Sequence, residues 1–281
     1  MLSRKNMPLD AMRHASCFTL KRVAALLLVG MLPAVCPAEE YVDLQTDRDA
    51  FTPSTHTVKP GTVLTEGSYV YIDNRSGPST NSYPELLCRI GASDRIEWRI
   101  GGGYVDNGGG YLVTNAEGGA GRSDGTVAYE SNVLYGFKAS TTEQHDWTPK
   151  SCLIVEAFTP TSGDLFGTTP VVTYAFGWQS AAGWQLDAAV RYAYSEGEQS
   201  WFNKWAPSVV LRIPVSERWE VHAEYFGSYT DGLPNEEASP FFSPGTHYLL
   251  TKNLEIGIRF GWGLSNDAAS FFSDAGFGVR F

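Results

Sequence analysis

Leu254-Glu255-Ile256-Gly257-Ile258-Arg259-Phe260-Gly261-Trp262 and, after a polar break, Phe271-Phe272-Ser273-Asp274-Ala275-Gly276-Phe277-Gly278-Val279-Arg280-Phe281 close the chain. Both runs alternate. Leu254, Ile256, Ile258, Phe260 and Trp262 share one face, with Glu255, Gly257, Arg259 and Gly261 on the other. In the second run Phe271, Ser273, Ala275, Phe277 and Val279 oppose Phe272, Asp274, Gly276, Gly278 and Arg280. A period of two marks a strand whose two faces meet unlike surroundings. A water-soluble sandwich would have to pack all the large aromatics into its core and leave a face of charges and glycines wet. A membrane barrel has the reverse arrangement, apolar outside and polar inside, over strands of about ten residues.

The other end of the chain fits export. Arg4, Lys5, Arg13, Lys21 and Arg22 precede a short apolar run, Val23 to Leu32, and Ala38 offers a small residue for cleavage. This is the outline of a secretory signal peptide over residues 1–38, and its apolar run falls short of the ~20 residues a spanning helix needs. The 243 residues after it suit one large β domain, with residues 39–60 as a periplasmic lead-in or lumen plug and 61–281 as the barrel. The whole chain carries −10; residues 1–38 hold five basic groups and Asp10, so the remainder carries −14. That balance argues against a nucleic-acid partner, since phosphate affinity needs clustered Lys and Arg. No later apolar run reaches helix-spanning length, so a membrane crossing has to be made by a closed sheet. Cys88 and Cys152 fall on opposite faces of their strands, which predicts two unpaired thiols.

Alternation and turn residues predict ten earlier strands: Thr62–Ile72, Ser82–Ile90, one around Ile96-Glu97-Trp98-Arg99-Ile100, Val127–Ala139, Cys152–Phe158, Val171–Trp178, Trp184–Tyr194, Trp205–Ile213, Trp219–Tyr225 and Gly245–Leu250. With the closing pair this is an all-β, antiparallel transmembrane barrel of about 12 strands, the even number that single-chain bacterial barrels show. Val105–Gly125 and Ser228–Pro244 read as long loops and Pro160–Asp164 and Ser195–Phe202 as shorter ones. Short turns at one end and longer loops at the other put both termini in the periplasm. Ser93-Asp94-Arg95-Ile96-Glu97-Trp98, Ser216-Glu217-Arg218-Trp219-Glu220-Val221 and Thr251-Lys252-Asn253-Leu254-Glu255-Ile256 share one form, each launching a strand from a short turn.

These pieces resemble a family of outer-membrane proteins assigned to transport in the meta-pathway of phenol degradation. The resemblance rests on Thr46-Asp47-Arg48 with Phe51, Pro60-Gly61-Thr62-Val63-Leu64-Thr65-Glu66-Gly67, Pro84-Glu85-Leu86-Leu87, Ser93 to Arg99, Thr159-Pro160-Thr161-Ser162-Gly163 and the closing Gly276 to Phe281. Asp49 stands where that family often has Pro. The resemblance implies an outer-membrane location, lipid and the barrel assembly machinery as partners, and passage of small, often hydrophobic solutes. It also implies that the terminal Phe281 is part of the assembly signal.

The inward face should carry Glu97, Arg99, Glu130, Asp187, Arg191, Arg212, Glu220, His222, Glu224, Glu255, Arg259 and, at the last strand's end, Arg280. Mixed signs suit either a salt-bridged lumen that stiffens the wall or a selective constriction; twelve strands fall between barrels filled by side chains and barrels with an aqueous channel. Glu220-x-His222-x-Glu224 puts three potential ligands or acid–base groups on one strand face, although a histidine between carboxylates is more often an ion-paired lumen residue. No nucleophile elbow, His-Glu-x-x-His, Cys-x-x-Cys or phosphate loop occurs in the chain, so no cofactor, metal or catalytic residue is assigned. Three readings remain: a channel or transporter for small solutes, a closed structural or surface-recognition barrel, and an outer-membrane hydrolase.

Overall fold

A computed structural model describes residues 44–106, 113–114, 129–163, 166–197 and 200–281. The export signal expected over residues 1–38 and most of the loop expected at Val105–Gly125 lie outside these residues. Twelve strands follow in order: β1 (Val63–Asp73), β2 (Thr80–Ser93), β3 (Ile96–Asp106), β4 (Tyr129–Thr142), β5 (Lys150–Gly163), β6 (Thr169–Gln179), β7 (Gln185–Glu196), β8 (Trp201–Ser216), β9 (Trp219–Asp231), β10 (Ala238–Thr251), β11 (Leu254–Gly263) and β12 (Phe271–Arg280). Each pairs antiparallel with its neighbours in sequence, and β12 returns to β1, so the sheet closes. Closure leaves no edge strand, the condition that lets a sheet sit in hydrocarbon.

The seam runs from Leu64↔Arg280 to Asp73↔Phe271. It is extended by Phe281, whose backbone N–H donates to the Val63 carbonyl and whose carbonyl accepts from the Val63 N–H. Alternation sets the two faces. Trp98, Ile100, Val133, Tyr135, Val172, Val190, Val209, Ile256, Ile258 and Phe277 are exposed on the outside. Aromatic residues gather toward both rims. Tyr69, Tyr83 and Tyr104 stand in a chain near the loop end, with centroids 6.0 and 5.9 Å apart, and Trp98 meets Phe137 edge-on at 6.3 Å near the end that carries the C-terminus. Such girdles sit at membrane interfaces, where an aromatic ring meets both lipid and water. The thiols are unpaired: Cys88 is half-buried and Cys152 buried inside, its Sγ 3.9 Å from the Ser54 carbonyl.

Several strands are longer than the alternation alone indicates. β9 and β10 extend through most of Ser228–Pro244, leaving only residues 232–237 as the connection. Pro240 and Pro244 hide this extension, because each removes a ladder N–H and reads as a strand breaker. Likewise Pro160 to Gly163 belong to β5, and both ends of Ser195–Phe202 belong to β7 and β8.

Inside the wall lies the chain that precedes β1. Leu44 and Val58 pack with Leu64 and Leu249 at the end bearing the C-terminus. Between them the chain reaches up the barrel to Phe51, which joins Val70, Ile72, Phe226, Phe241 and Phe272. We call residues 44–58 the finger.

Candidate functional site: the barrel lumen

The wall supplies inward polar groups from alternate positions of every strand that the finger meets, and the finger supplies backbone groups and three consecutive charged residues, Arg48 between Asp47 and Asp49. Asp47 is the hub. Its Oδ2 accepts from Arg99 Nη1 at 2.6 Å and Lys138 Nζ at 2.7 Å, and its Oδ1 lies 3.5 Å from Arg89 Nη1. Burial alone would raise the Asp47 pKa, but Arg89, Lys138 and Arg99 outweigh it and hold this carboxyl well below the usual carboxylate range. Around the hub, Arg89 Nε donates to Glu97 at 2.7 Å and Arg99 Nε to Glu156 at 2.6 Å. Glu66 accepts the Asp47 and Arg48 backbone N–H groups at 2.7 and 2.9 Å. Glu97 likewise accepts the Val58 N–H at 2.7 Å. Thus β1, β2, β3, β4 and β5 each contribute a charge that touches the finger or a residue bound to it. Buried ions at such short, well-matched distances offset much of their desolvation cost.

The opposite wall repeats the device. Glu224 on β9 accepts from the Phe51 N–H at 2.9 Å, from the Thr52 N–H at 2.6 Å and from Thr52 Oγ1 at 2.7 Å. Arg259 on β11 ties Glu224 (3.3 Å) to Asp274 (2.9 Å) and donates to the Val113 carbonyl at 2.8 Å. Asp187 on β7 holds Arg212 at 2.8 Å, and Arg191 lies over the Phe158 ring, 5.3 Å from its centroid. Glu255 accepts from Thr46 Oγ1 at 3.0 Å. Arg280 sits at the rim and donates to the Lys252 carbonyl and Asn253 side chain. The side chain of Glu130 lies outside the described residues.

The run Glu220, His222, Glu224 does not converge on one point. Glu224 is engaged by the finger, Glu220 faces the rim cavity, and His222 turns to His247 on β10, with Nδ1 2.7 Å from His247 Nε2. The residues missed by sequence reading are those whose role depends on the finger: Asp47, Glu66, Arg89, Lys138, Glu156 and His247. Parity alone places the strand residues inside, but only the finger's path gives them a common partner.

Above the ionic layer the lumen is aromatic. Phe51 stacks on Phe226 with centroids 4.5 Å apart and planes 6° from parallel; Phe226 stacks on Phe241 at 5.1 Å, and Phe272 meets both edge-on at 6.0 and 5.9 Å. Below it, cavities open beside the finger at the C-terminal end, and two of them are the larger. One of about 340 Å³ is lined by Asp49, Arg212, Glu220, His247 and Glu255; one of about 250 Å³ is lined by Val58, Leu64, Arg89 and Arg280.

A closed antiparallel wall with an apolar outside, aromatic rims and a charged interior defines an outer-membrane β-barrel, and the protein resides in that membrane. The chain belongs to the family described as "Putative MetA-pathway of phenol degradation", whose model matches residues 46–281. No curated protein matches the sequence. Among solved structures it is similar to a NanC porin, with a TM-score of 0.53 at 8% identity over 77% of this chain and 98% of that one. It is also similar to a KdgM porin (TM-score 0.46, 10% identity, 78% and 99% covered) and to the translocator domain of the autotransporter NalP from Neisseria meningitidis (0.46, 8%, 95% and 96%). The NanC likeness concerns the fold.

Proposed function

We propose that this barrel is a channel or transporter for small, largely apolar solutes, aromatic ones among them. Residues 1–38 act as its export signal and residues 39–60 as a lumen plug, and the inward charges set the polarity of the path. The carrying observation is the seat of Phe51. The wall offers Phe226, Phe241 and Phe272 as an inward aromatic pocket, and the finger fills it with a flat ring at stacking distance. When the finger withdraws, the same faces are available to an aromatic solute, with stacked pairs worth about 0.5–1.5 kcal/mol beyond area burial. The family description and the fold shared with a structure described as a NanC porin point the same way. This reading gives the barrel no catalytic step.

The competing reading, a closed structural or recognition barrel, draws on the density of ion pairs around Asp47. Proteoliposome swelling decides between them. The solutes are a small aromatic carboxylate, chosen because neutral phenols cross lipid unaided, and a sugar of similar size. Removing residues 44–58 should raise both rates, and Phe226→Ala with Phe241→Ala should then lower the aromatic rate more than the sugar rate. No flux in the finger-less barrel would establish the closed reading.

A further inference from the structure

We propose that Asp49, His222 and His247 form a binding site for one divalent first-row transition metal ion, zinc being the probe of choice, and that the bound ion joins the finger to the wall. One carboxylate and two imidazoles are the donor set such ions take. Each of the three residues offers a ligand atom, and these lie within 4.8 Å of one another. His247 Nε2 is the centre of the group, 3.3 Å from Asp49 Oδ2 and 2.7 Å from His222 Nδ1. With bonds of about 2.0–2.1 Å, tetrahedral ligand atoms stand about 3.3 Å apart. The Asp49–His247 spacing already meets this; the imidazoles need to part by roughly 0.6 Å, and Asp49 and His222, within 4.8 Å of each other, need to close toward it.

Four further observations point to a ligand. First, Asp49 Oδ1 is shielded from solvent and has no hydrogen-bond partner among the described residues. Second, the wall makes room for both rings. Gly245 lies opposite His222 in the β9–β10 ladder and Gly257 opposite His247 in the β10–β11 ladder; a Cβ at Gly245 would collide with the His222 imidazole, and one at Gly257 would lie 2.8 Å from His247 Nδ1. Third, charge favours a cation. Asp49 and Glu220 lie 3.6 and 3.9 Å from the Arg212 guanidinium, which is shared with Asp187, and Glu255 lines the same cavity. The next guanidinium, Arg259, is paired with Asp274 and Glu224. Fourth, Asp49 and His247 line the 340 Å³ cavity at the C-terminal end, which gives an ion an entry path and leaves space for a water ligand.

Proton bookkeeping closes without loss. In the present pair one imidazole N–H lies between His222 Nδ1 and His247 Nε2. Either ring can hold that proton, and Glu255 lies 3.7 Å from the outer nitrogen of His247, Nδ1. On metal capture it moves to the outer nitrogen of the ring that holds it, so that both imidazoles turn lone pairs toward the ion and Asp49 contributes its existing charge.

The test uses the full mature chain, folded in detergent without a polyhistidine tag and stripped with chelator. Titration with Co²⁺, followed by visible d–d absorption, and displacement by Zn²⁺ should show one site per barrel. His247→Ala and Asp49→Ala should each weaken binding by about 100-fold. Asp49 stands on the finger, so barrel closure, read by the heat-modifiable gel shift, should survive its loss even if His247→Ala folds poorly. Co²⁺ affinity in folded Asp49→Ala equal to wild type, or no saturable site in the wild type, would overturn the proposal. The titration needs no solute flux, so it stands or falls separately from the transport reading.

Discussion

Asp47 concentrates the finger's attachment in one side chain. Replacing it with Asn removes the charge that answers Arg99, Lys138 and Arg89 while keeping the shape. Breaking a buried pair leaves uncompensated charge, at about 3–5 kcal/mol; Glu97 and Glu156 remain beside Arg99, which puts the expectation near the lower figure. The loss should appear as a lower urea midpoint and faster proteolysis of residues 44–58. The pH dependence follows from the depressed pKa. A carboxyl held below its unfolded value, about 3.9, contributes fully above that pH and progressively less as pH falls through it toward the folded value. The stability gap between wild type and Asp47→Asn should therefore be constant near neutrality and narrow below about pH 4. A gap that ignores pH would mean that the side chain acts through packing alone. A neighbour, Asp49, carries the other distinctive contact of the finger, at a position where Pro would offer no ligand.

Element by element, the alternation makes a direct claim about which side of each strand meets lipid. Ile258 on β11 is exposed on the outside while Arg259, one residue on, is buried against Asp274 and Glu224. Ile258→Arg should lower folding yield in lipid by the ~2–4 kcal/mol that an arginine at the midplane costs, whereas Ile258→Leu should fold normally. Equal yields would mean that the strand is inside out. The same alternation explains what the sequence made legible. Period two placed Glu97, Arg99, Asp187, Arg212, Glu224, Glu255 and Arg259 on the side that the structure shows buried. It could not show what they bind, because the finger has no period of its own and its contacts depend on the path of an irregular segment. The aromatic pocket was hidden for a different reason: Phe241 lies between Pro240 and a second proline, Pro244, in a stretch that reads as loop, and Phe51 lies in the polar lead-in. Pairing of His222 with His247 was invisible because cross-strand partners depend on register, and a ladder's register appears only when the sheet is assembled.

For the whole molecule, closure is the dominant fact. β1 and β12 are far apart along the chain, so the barrel is shut only where β12 meets β1, and Phe281 extends that seam. Its ring is exposed, which leaves it open to recognition. Phe281→Asp should leave export intact and reduce the heat-modifiable, membrane-inserted fraction several-fold; a normal fraction would remove the terminal aromatic from the assembly signal. The finger has a further consequence that lies in topology rather than energy. Its two described ends, Leu44 and Val58, meet at the same rim, and Phe51 marks the farthest reach of the excursion. It is a bight, as in a rope pushed into a tube, and not a thread passed through one. A bight leaves by the mouth through which it entered. Under the plug proposed above, not one of the wall's ladder bonds would have to open and β1 would stay anchored, so the stopper and the vessel could be remade many times from a single uncut chain.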